Sequence, residues 1–282
     1  MDLGLENKVA LVAGGSSGLG LAMAKELAAE GAHVAIGARD HGRLAAAERA
    51  VKAAKAAKAV KARGKVAATC VDITDRAAAR HWVEEVAARF GALHILAVSG
   101  GSPPVGAASH FSLTDYQAAF DESFLPAVNL ALAALPHMRA ARWGRMLFVA
   151  SETAVVPMAT LVLSGAARAG LARFAQSLAA EVGRDGITVN VLAPGATRTE
   201  MVERAAARLA GNGDIEAPLR AIGEHSAVGR IGRPDEFAAV AAFLASERAS
   251  YVTGGVHLLD GGASVLGHPV TQYTSVPKDT YT

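Results

Sequence analysis

Cysteine is almost absent from the sequence, since Cys70 is the single one in 282 residues. One cysteine excludes an internal disulfide, and this scarcity is typical of proteins from reducing compartments. The flanking residues, VAATCVDIT, are mostly apolar, so we expect Cys70 to lie in a buried strand as an unreactive thiol. The N-terminal stretch MDLGLENKVA lacks the apolar segment of a secretory signal, which predicts a cytoplasmic protein.

An excess of charge of one sign is also missing. The 28 basic and 26 acidic side chains leave a formal net charge of +2, whereas a nucleic-acid-binding surface needs a basic patch. No apolar run approaches the roughly 18 residues of a membrane-spanning helix. The histidines do not fall in metal-binding patterns such as H-E-x-x-H. We therefore expect no nucleic-acid partner, no membrane association and no metal site.

The sequence does contain a regular alternation of short β-type runs and longer helical runs. Hydrophobic residues make up 51% of the chain, which is enough for a sizeable core. Helical patterns such as DRAAARHWVEEVAARFG separate the apolar runs. Seven runs are predicted as strands, namely residues 8–14, 33–38, 65–71, 93–99, 144–151, 186–195 and 255–262. Apolar strands that alternate with helices indicate a parallel sheet covered on both faces.

This pattern predicts an α/β fold, a single doubly wound Rossmann-type domain with a seven-stranded parallel sheet, over residues 1–262. Ligands of such folds bind beyond the carboxyl ends of the strands. Two segments fall outside the alternation. Residues 45–64 repeat Lys among Ala, which indicates a solvated helix face. Residues 263–282 form a polar tail, which we expect to be a surface extension.

A glycine-rich turn, VAGGSSGLG, follows the first predicted strand and precedes the first helix. Glycine at these positions permits a tight turn, close packing of helix on strand, and close approach of a pyrophosphate to backbone N–H groups. The position between strand and helix makes a nucleotide-binding turn the preferred interpretation. The predicted contacts come from Gly14, Ser16, Ser17, Gly18, Leu19 and Gly20.

The end of the second predicted strand carries Ala38 and Arg39, where NAD-binding proteins usually have an acid. An acid accepts hydrogen bonds from the ribose 2′-hydroxyl, whereas an arginine pairs with a 2′-phosphate. We therefore expect NADP(H) as the cofactor, the alternative being that Arg39 is an ordinary surface arginine. Asp72, after the third strand, is placed to reach the adenine from the same crevice, together with its neighbour Ile73.

Over residues 6–262 the chain resembles the short-chain dehydrogenases/reductases. The glycine turn and Asp72 match the family's pattern, and residues 229–262 are similar to its C-terminal helix and last strand. The segment LAPGATRT (192–199) resembles its Pro-Gly segment near the nicotinamide, with Thr199 placed to meet the pyrophosphate. The resemblance thus adds five residues to the predicted cofactor site: Ser99, Pro194, Gly195, Thr197 and Thr199.

The family's chemistry uses a tyrosine, a lysine four residues later, a serine and an asparagine. RAGLARFAQSLAAE matches the helix after the family's lysine, which places Ser164 at the tyrosine position and Arg168 at the lysine position. Ser151 then corresponds to the serine, and Ser123 to the asparagine, with Asn129 as the other candidate. Three of the four catalytic positions are therefore substituted.

These substitutions bear directly on the chemistry. A serine hydroxyl is far less acidic than a phenol with a pKa of about 10, and Ser164 is too short to take the phenol's place. Arg168 stays protonated, so it is poorly suited to transfer a proton. Its guanidinium could still bind the hydroxyls of the nicotinamide ribose with two N–H groups. The alternative interpretation makes Ser164 a small packing residue and Arg168 a surface charge.

Three functional hypotheses remain. The first is an NADP(H)-dependent oxidoreductase acting on a carbonyl or alcohol of a small molecule, with water, Ser151 or Glu152 supplying the proton path. The second is a lyase or aldolase in which Arg168 binds an anionic group. The third is a catalytically silent subunit that binds NADP(H). The resemblance also implies a homotetramer or dimer, and a lid over the substrate formed by residues 200–229.

Overall fold

The computed structural model describes residues 2–57, 64–211 and 213–266. Within these residues all seven predicted strands are present, and they form one parallel sheet in the order β3-β2-β1-β4-β5-β6-β7. The strands are β1 (Val9–Ala13), β2 (His33–Ala38), β3 (Val66–Cys70), β4 (Ile95–Val98), β5 (Gly144–Val149), β6 (Ile187–Pro194) and β7 (Val256–Leu259). The predicted Rossmann-type fold class is confirmed.

Helices cover both faces of this sheet. They are α1 (Gly18–Ala29), α2 (His41–Ala57), α3 (Arg76–Phe90), α4 (Leu113–Ser123), α5 (Leu125–Ala141), α6 (Val162–Val182), α7 (Glu200–Ala210), α8 (Glu216–Gly223), α9 (Pro234–Leu244) and α10 (Ala263–Leu266). One core cluster contains α1, α2 and α9, and the other contains α3, α5 and α6. The sheet is therefore the middle of three layers.

The two core clusters bury large side chains against alanine-rich helices. Trp82 and Met138 are 1% and 0% exposed in the cluster of α3, α5 and α6. Met23 and Phe237 are 0% and 3% exposed in the other cluster. Each such side chain contributes about 1.5–3 kcal/mol when fully buried. The small alanines let the helices approach the sheet closely.

The strand order creates the crevice that such folds use for ligands. β1 lies between β2 and β4, with Ala13 paired to both Gly37 and Val98, so the carboxyl ends of these three strands are level. From β1 the chain continues to β2 and β3 on one side, and after β3 it crosses back to β4 on the other side of β1. The resulting gap between the following loops is the topological switch point where nucleotides bind in doubly wound folds.

Two expectations from the sequence need correction. Cys70 is exposed, not buried, because it is the last residue of the edge strand β3, and its Sγ lies 3.2 Å from the carbonyl oxygen of Arg39. Within the stretch Leu113–Ala141 an 18-residue segment has a mean hydropathy of 1.3, so by length and composition the stretch could span a membrane. It consists of α4 and α5, is interrupted at Phe124, and is half buried within the protein, as core helices of this fold are.

The two segments outside the alternation are described only in part. α2 accounts for the first part of the Lys/Ala segment, while residues 58–63 lie outside the described residues. Of the predicted tail, α10 is described and residues 267–282 are not. The predicted lid, residues 200–229, contains the two helices α7 and α8.

Candidate active site

The glycine-rich turn joins β1 to α1 at the switch point. Gly14 has a φ of +72°, a conformation that favours glycine, and a Cβ there would lie 1.9 Å from the carbonyl oxygen of Ser99. A Cβ at Gly20 would lie 2.2 Å from the carbonyl oxygen of Gly14. Both positions therefore require glycine, and Ser99, at the end of β4, forms one wall of the turn.

The N-terminus of α1 offers free hydrogen-bond donors. Within the described residues, the backbone N–H groups of Gly18, Leu19 and Gly20 donate to no acceptor. The side chain of Ser17, the N-cap, does not cap the helix, and the first turn carries no acid. Ser16 lies in the turn just before it. Such a helix terminus fits an anionic group, which free N–H donors and the helix dipole both stabilise.

Thr199 lies opposite this turn. A Cβ at Gly18 would lie 3.6 Å from Thr199 Cγ2. Thr199 is the N-cap of α7, where its Oγ1 accepts a hydrogen bond from Val202 N. The predicted pyrophosphate residues Gly18 and Thr199 are thus brought together from opposite sides of one groove.

The far end of the groove contains Arg39 and Asp72. The guanidinium of Arg39 is exposed and forms no hydrogen bond or ion pair with a side chain of the described residues. Asp72 Oδ1 accepts hydrogen bonds from the backbone and hydroxyl of Thr74, which lower the pKa of Asp72. Ile73 is half-buried beside it. An exposed arginine next to an anion-binding turn fits a phosphorylated ribose.

The carboxyl end of β6 carries the Pro-Gly segment. Pro194 is the last residue of β6, and Gly195 N donates to the carbonyl oxygen of Leu259 in β7. Thr197 is 5% exposed, and its Oγ1 donates to the carbonyl oxygen of Gly195. This turn therefore fixes the wall of the crevice between the glycine-rich turn and β7.

Ser151 and Glu152 follow β5 directly. Ser151 is the N-cap of a short 3-10 helix, Glu152–Ala154, and its Oγ accepts a hydrogen bond from Thr153 N at 3.2 Å. Glu152 is half-buried, and a Cβ at Gly195 would lie 3.1 Å from Glu152 Oε2. Burial, together with the negative charge of Asp260, raises the pKa of Glu152 to about 7.

Arg168 does not lie on the surface, so its interpretation as a surface charge is wrong. It is 7% exposed, and its Nη1 donates to Val149 O at 2.5 Å. Its Nη2 donates to Gly100 O at 2.5 Å and to Gly101 O at 2.9 Å. Burial lowers the pKa of Arg168 to about 10. Nη1 and Nη2 are therefore bonded to main-chain carbonyls at the ends of β4 and β5, whereas the buried Nε has no partner among the described residues.

Ser123 and Asn129 occupy different environments. Ser123, the last residue of α4, is 4% exposed, and a Cβ at Gly101 would lie 2.2 Å from its Oγ. A small cavity touches both Ser123 and Arg168. Asn129 instead accepts a hydrogen bond from Arg80 Nε and donates to the carbonyl oxygen of Arg76, so its amide is bound to α3. Ser123 is thus the one near the crevice.

Ser164 lies in the first turn of α6, half-buried and without a side-chain hydrogen bond to the described residues. It precedes Arg168 by one helical turn, but their side chains do not share a partner.

An ion pair between the lid and α2 could not be predicted from the sequence. Arg43 Nη2 donates to Glu200 Oε1 at 2.6 Å, and Glu200 also pairs with Arg204. Arg43 and Glu200 are far apart in the sequence, so no local spacing indicates their contact. The pair links the first turn of the lid to the helix that follows Arg39. Within the described residues no cluster of three or more His, Cys, Asp or Glu could hold a metal ion.

Comparisons with known proteins agree with this geometry. A family model described as enoyl-(acyl carrier protein) reductase matches residues 13–264. The 3-oxoacyl-(acyl-carrier-protein) reductase FabG of Salmonella typhimurium is 32% identical over 260 residues, which cover 92% of this chain and 98% of the relative. The chain belongs to the short-chain dehydrogenase/reductase family. D-beta-hydroxybutyrate dehydrogenase of Cupriavidus necator is a further relative, 31% identical, over 92% of this chain and 98% of its own.

Solved structures of short-chain dehydrogenases/reductases extend the comparison. L-Sorbose reductase from Gluconobacter frateurii, complexed with NADPH and L-sorbose, is 33% identical with a TM-score of 0.87, over 93% of this chain and 98% of that one. A 3-oxoacyl (acyl-carrier-protein) reductase from Agrobacterium tumefaciens with NADP bound is 28% identical with a TM-score of 0.82, over 93% and 96%. Both similar reductases contain the phosphorylated nucleotide.

Proposed function

We propose that the chain is an NADP(H)-dependent oxidoreductase that reduces a ketone or aldehyde of a small molecule, or oxidises the matching alcohol. Its catalytic centre is non-standard, with Ser164 and Arg168 in place of the family's tyrosine and lysine. The observation that carries the proposal is the complete anion cradle of α1, with free N–H groups and glycines that cannot bear a side chain. The exposed guanidinium of Arg39 at the end of the same groove specifies the 2′-phosphate.

The cofactor fits along the groove from Arg39 to Gly195. The N–H groups of Gly18, Leu19 and Gly20 bind the pyrophosphate with Thr199, and Arg39 binds the 2′-phosphate. Asp72 and Ile73 contact the adenine, and Ser99 lies beside the ribose of the nicotinamide. Three residues of the Pro-Gly segment, Pro194, Gly195 and Thr197, hold the nicotinamide. When bound, the cofactor supplies or accepts the hydride.

Ser151 is the substrate-binding hydroxyl of this proposal. It lies at the carboxyl end of β5, next to the Pro-Gly segment. Its Oγ accepts a hydrogen bond from Thr153 N, and its Oγ–H donates to none of the described residues. A hydroxyl in this position donates to the carbonyl oxygen of a substrate and stabilises the charge that develops there. The similar reductases act on 3-oxoacyl groups and L-sorbose, so ketones of these types are the substrates to test.

Arg168 acts in this proposal as a positioning residue. Because Nη1 and Nη2 already donate to three carbonyls, they hold the loop after β4 against the end of β5. The lyase or aldolase hypothesis needs Arg168 to bind an anionic substrate group, and the same occupied donors weigh against it. The adjacent Ser123 supports this loop by packing against Gly101.

A homotetramer or dimer is part of the proposal. Strand β7 is an edge of the sheet within the described residues, and its Leu258 is 38% exposed. An apolar side chain on an open strand edge favours contact with another copy of the chain. Sedimentation velocity tests this, and a purely monomeric protein would contradict it.

Titration of the protein with NADPH and with NADH, followed by nicotinamide fluorescence, tests the proposed function. We expect NADPH to bind at least about tenfold more tightly, because a charge-assisted pair with the 2′-phosphate contributes on the order of 1.5–3 kcal/mol. Oxidation of NADPH is then followed with L-sorbose and with a 3-oxoacyl thioester. Absence of nucleotide binding would refute the proposal, and binding without turnover of a wide carbonyl panel would favour the silent subunit.

A further inference from the structure

Glu152 is the ionisable group beside the substrate-binding hydroxyl of Ser151. The two residues open the 3-10 helix that follows β5, at the carboxyl edge of the sheet. The carboxyl group of Glu152 lies against Gly195, since a Cβ there would be 3.1 Å from Glu152 Oε2. A larger residue at position 195 would therefore push this carboxyl group away. Gly195 belongs to the segment that the proposed function assigns to the nicotinamide.

Asp260 lies at the same face of Gly195, where the same Cβ would be 2.7 Å from Asp260 Cβ. The oxygens of Asp260 accept hydrogen bonds from Gly262 N and Ser264 N, both at 2.9 Å. Burial alone would raise the pKa of Asp260, but these hydrogen bonds outweigh it and lower that pKa. Asp260 thus remains a carboxylate near neutral pH, and Glu152 is half-buried next to a fixed negative charge.

In the part of the chain that the structure describes, strand β6 and helix α6 also pack on this 3-10 helix. Strand β6 contains no ionisable side chain. Helix α6 contributes the guanidinium of Arg168, which is directed to the carbonyls of Val149, Gly100 and Gly101. Burial and the charge of Asp260 both favour the protonated form of Glu152, and they raise its pKa to about 7. A group with a pKa near the working pH is the most effective general acid or base.

The polar groups near Glu152 are poorer proton donors than its carboxyl group. The hydroxyls of Ser151 and Ser164 are much weaker acids than a carboxyl group, and Arg168 is a cation that does not release its proton readily. The hydroxyl of Thr153, a residue that is 6% exposed, is likewise a much weaker acid than a carboxyl group. Of these side chains, all from described residues, Glu152 combines an exchangeable proton with a place directly after Ser151 in the 3-10 turn.

We propose that Glu152 is the general acid of the reaction, and that its carboxyl proton passes to the carbonyl oxygen that Ser151 binds. The inference rests on the proposed function. The carbonyl carbon accepts a hydride from NADPH, which becomes NADP⁺, and the carbonyl oxygen accepts the proton of Glu152. The products are the alcohol and the Glu152 carboxylate, which takes up a proton from solvent before the next cycle. In the oxidative direction the carboxylate accepts the alcohol proton.

Kinetics of Glu152→Gln test this assignment, with Glu181→Gln as the matched control, since Glu181 lies on α6 and pairs with Arg139 on the surface. We expect Glu152→Gln to lower kcat by about 10²–10⁴-fold, the usual contribution of a general acid. The Kd for NADPH should be unchanged in both variants. The carbonyl reduction rate of the unsubstituted protein should fall above about pH 7, where Glu152 loses its proton.

Asp260→Asn distinguishes a catalytic role from a structural one. Removing the adjacent negative charge lowers the pKa of Glu152, so the pH at which the reduction rate falls should shift downward. The same shift should be visible without cofactor or substrate, as the titration of the Glu152 carboxyl carbon by NMR of ¹³C-labelled protein, assigned with Glu152→Gln.

The outcomes separate this inference from the proposed function. Turnover by Glu152→Gln within about threefold of the unsubstituted protein, with the same pH profile, would overturn the role of Glu152 and leave the oxidoreductase standing. A carboxyl titration near that of a free glutamate would also overturn it. If NADPH binds but the unsubstituted protein transfers no hydride to any carbonyl, the proposed function fails and the general acid with it.

Discussion

The guanidinium of Arg168 donates a hydrogen bond to the carbonyl oxygen of Val149 at 2.5 Å, and so ties α6 to the end of β5. The same group donates to Gly100 and Gly101 in the loop after β4. Two neighbouring strands are thus joined at their carboxyl ends, where the candidate site lies. The lysine that the family places there has a single ammonium group and could not span both strand ends.

Substitution of Arg168 by Lys should therefore destabilise the protein although it keeps the charge. We expect the free energy of unfolding in urea to fall by about 1–3 kcal/mol, because at least one buried carbonyl loses its donor. Arg173→Lys is the control, since Arg173 is exposed on the same helix and bonds only Gln176 among the described residues. Equal stabilities of the two variants would show that the two Nη donors of Arg168 do not contribute to the free energy of unfolding.

The sequence predicted the strand layout because buried parallel strands are nearly continuous apolar runs, as in residues 8–14 and 144–151. It also predicted the glycine-rich turn, where local spacing determines the backbone. It did not predict that Arg168 is buried or that Cys70 is exposed. Both depend on which elements pack on those residues, and neighbouring residues in sequence give no signal of that.

The candidate site was predictable to the same extent. Gly14 and Thr199 were recognised from motifs, and the structure brings both to one groove. Asp260 was not singled out, since its effect on Glu152 arises only when β5 and the loop after β7 meet at Gly195. Glu152 itself could be suggested only from its place next to Ser151, because a pKa depends on burial and on tertiary contacts.

Gly101→Ala should lower the free energy of unfolding by more than the strain of placing alanine in a left-handed backbone conformation. Gly101 has a φ of +75°, and an added Cβ would lie 2.2 Å from Ser123 Oγ and 3.0 Å from its Cα. Gly91, with a φ of +81° and nothing within 4 Å of an added Cβ, is the matched control. We expect a loss of about 1 kcal/mol for Gly91→Ala and about 2–4 kcal/mol for Gly101→Ala, measured by urea unfolding. Similar losses in the two variants would mean that the loop after β4 moves to accommodate the added Cβ without a measurable cost.

Arg39→Ala should abolish the preference for the phosphorylated cofactor. Loss of the charge-assisted pair should weaken NADPH binding about 10–100-fold and leave NADH binding almost unchanged. Arg49→Ala removes an exposed arginine from α2 and serves as the control. Fluorescence titrations of the three proteins at one fixed salt concentration measure the effect. Equal losses for NADPH and NADH would instead indicate a general disturbance of the groove.

Glu200→Gln should loosen the lid without weakening the fold. Glu200 pairs with Arg43 of α2 and with Arg204 of its own helix, and all three side chains are substantially exposed. Exposed pairs contribute about 0–1 kcal/mol, so the melting temperature should hardly change. Hydrogen exchange of residues 200–210 should become faster, whereas Glu48→Gln, which breaks a pair within α2, should leave it unchanged. Unchanged exchange in Glu200→Gln would show that Arg43 does not restrain the lid.

Glu152 should make the stability of the folded protein depend on pH. Its folded pKa is raised from 4.5 to about 7 by burial and by Asp260, so between these values the folded chain binds more protons than the unfolded chain. Its stabilising contribution is therefore complete below about pH 4.5 and is lost as the pH rises through about 7. Because the side chain is partly exposed, we expect a loss on the order of 1–2 kcal/mol rather than the full value for the shift.

Urea unfolding of the unsubstituted protein and of Glu152→Gln, at intervals from about pH 4.5 to about pH 8, isolates this contribution. The unfolding free energy of the unsubstituted protein minus that of Glu152→Gln should fall over this range, because glutamine stays neutral while the half-buried glutamate becomes charged. In Asp260→Asn the fall should be smaller and should end at a lower pH, since loss of the neighbouring charge lowers the folded pKa of Glu152 and leaves its unfolded pKa unchanged. A difference that rises with pH would mean that the folded state favours the charged form of Glu152, which contradicts both its place beside Asp260 and its assignment as a proton donor.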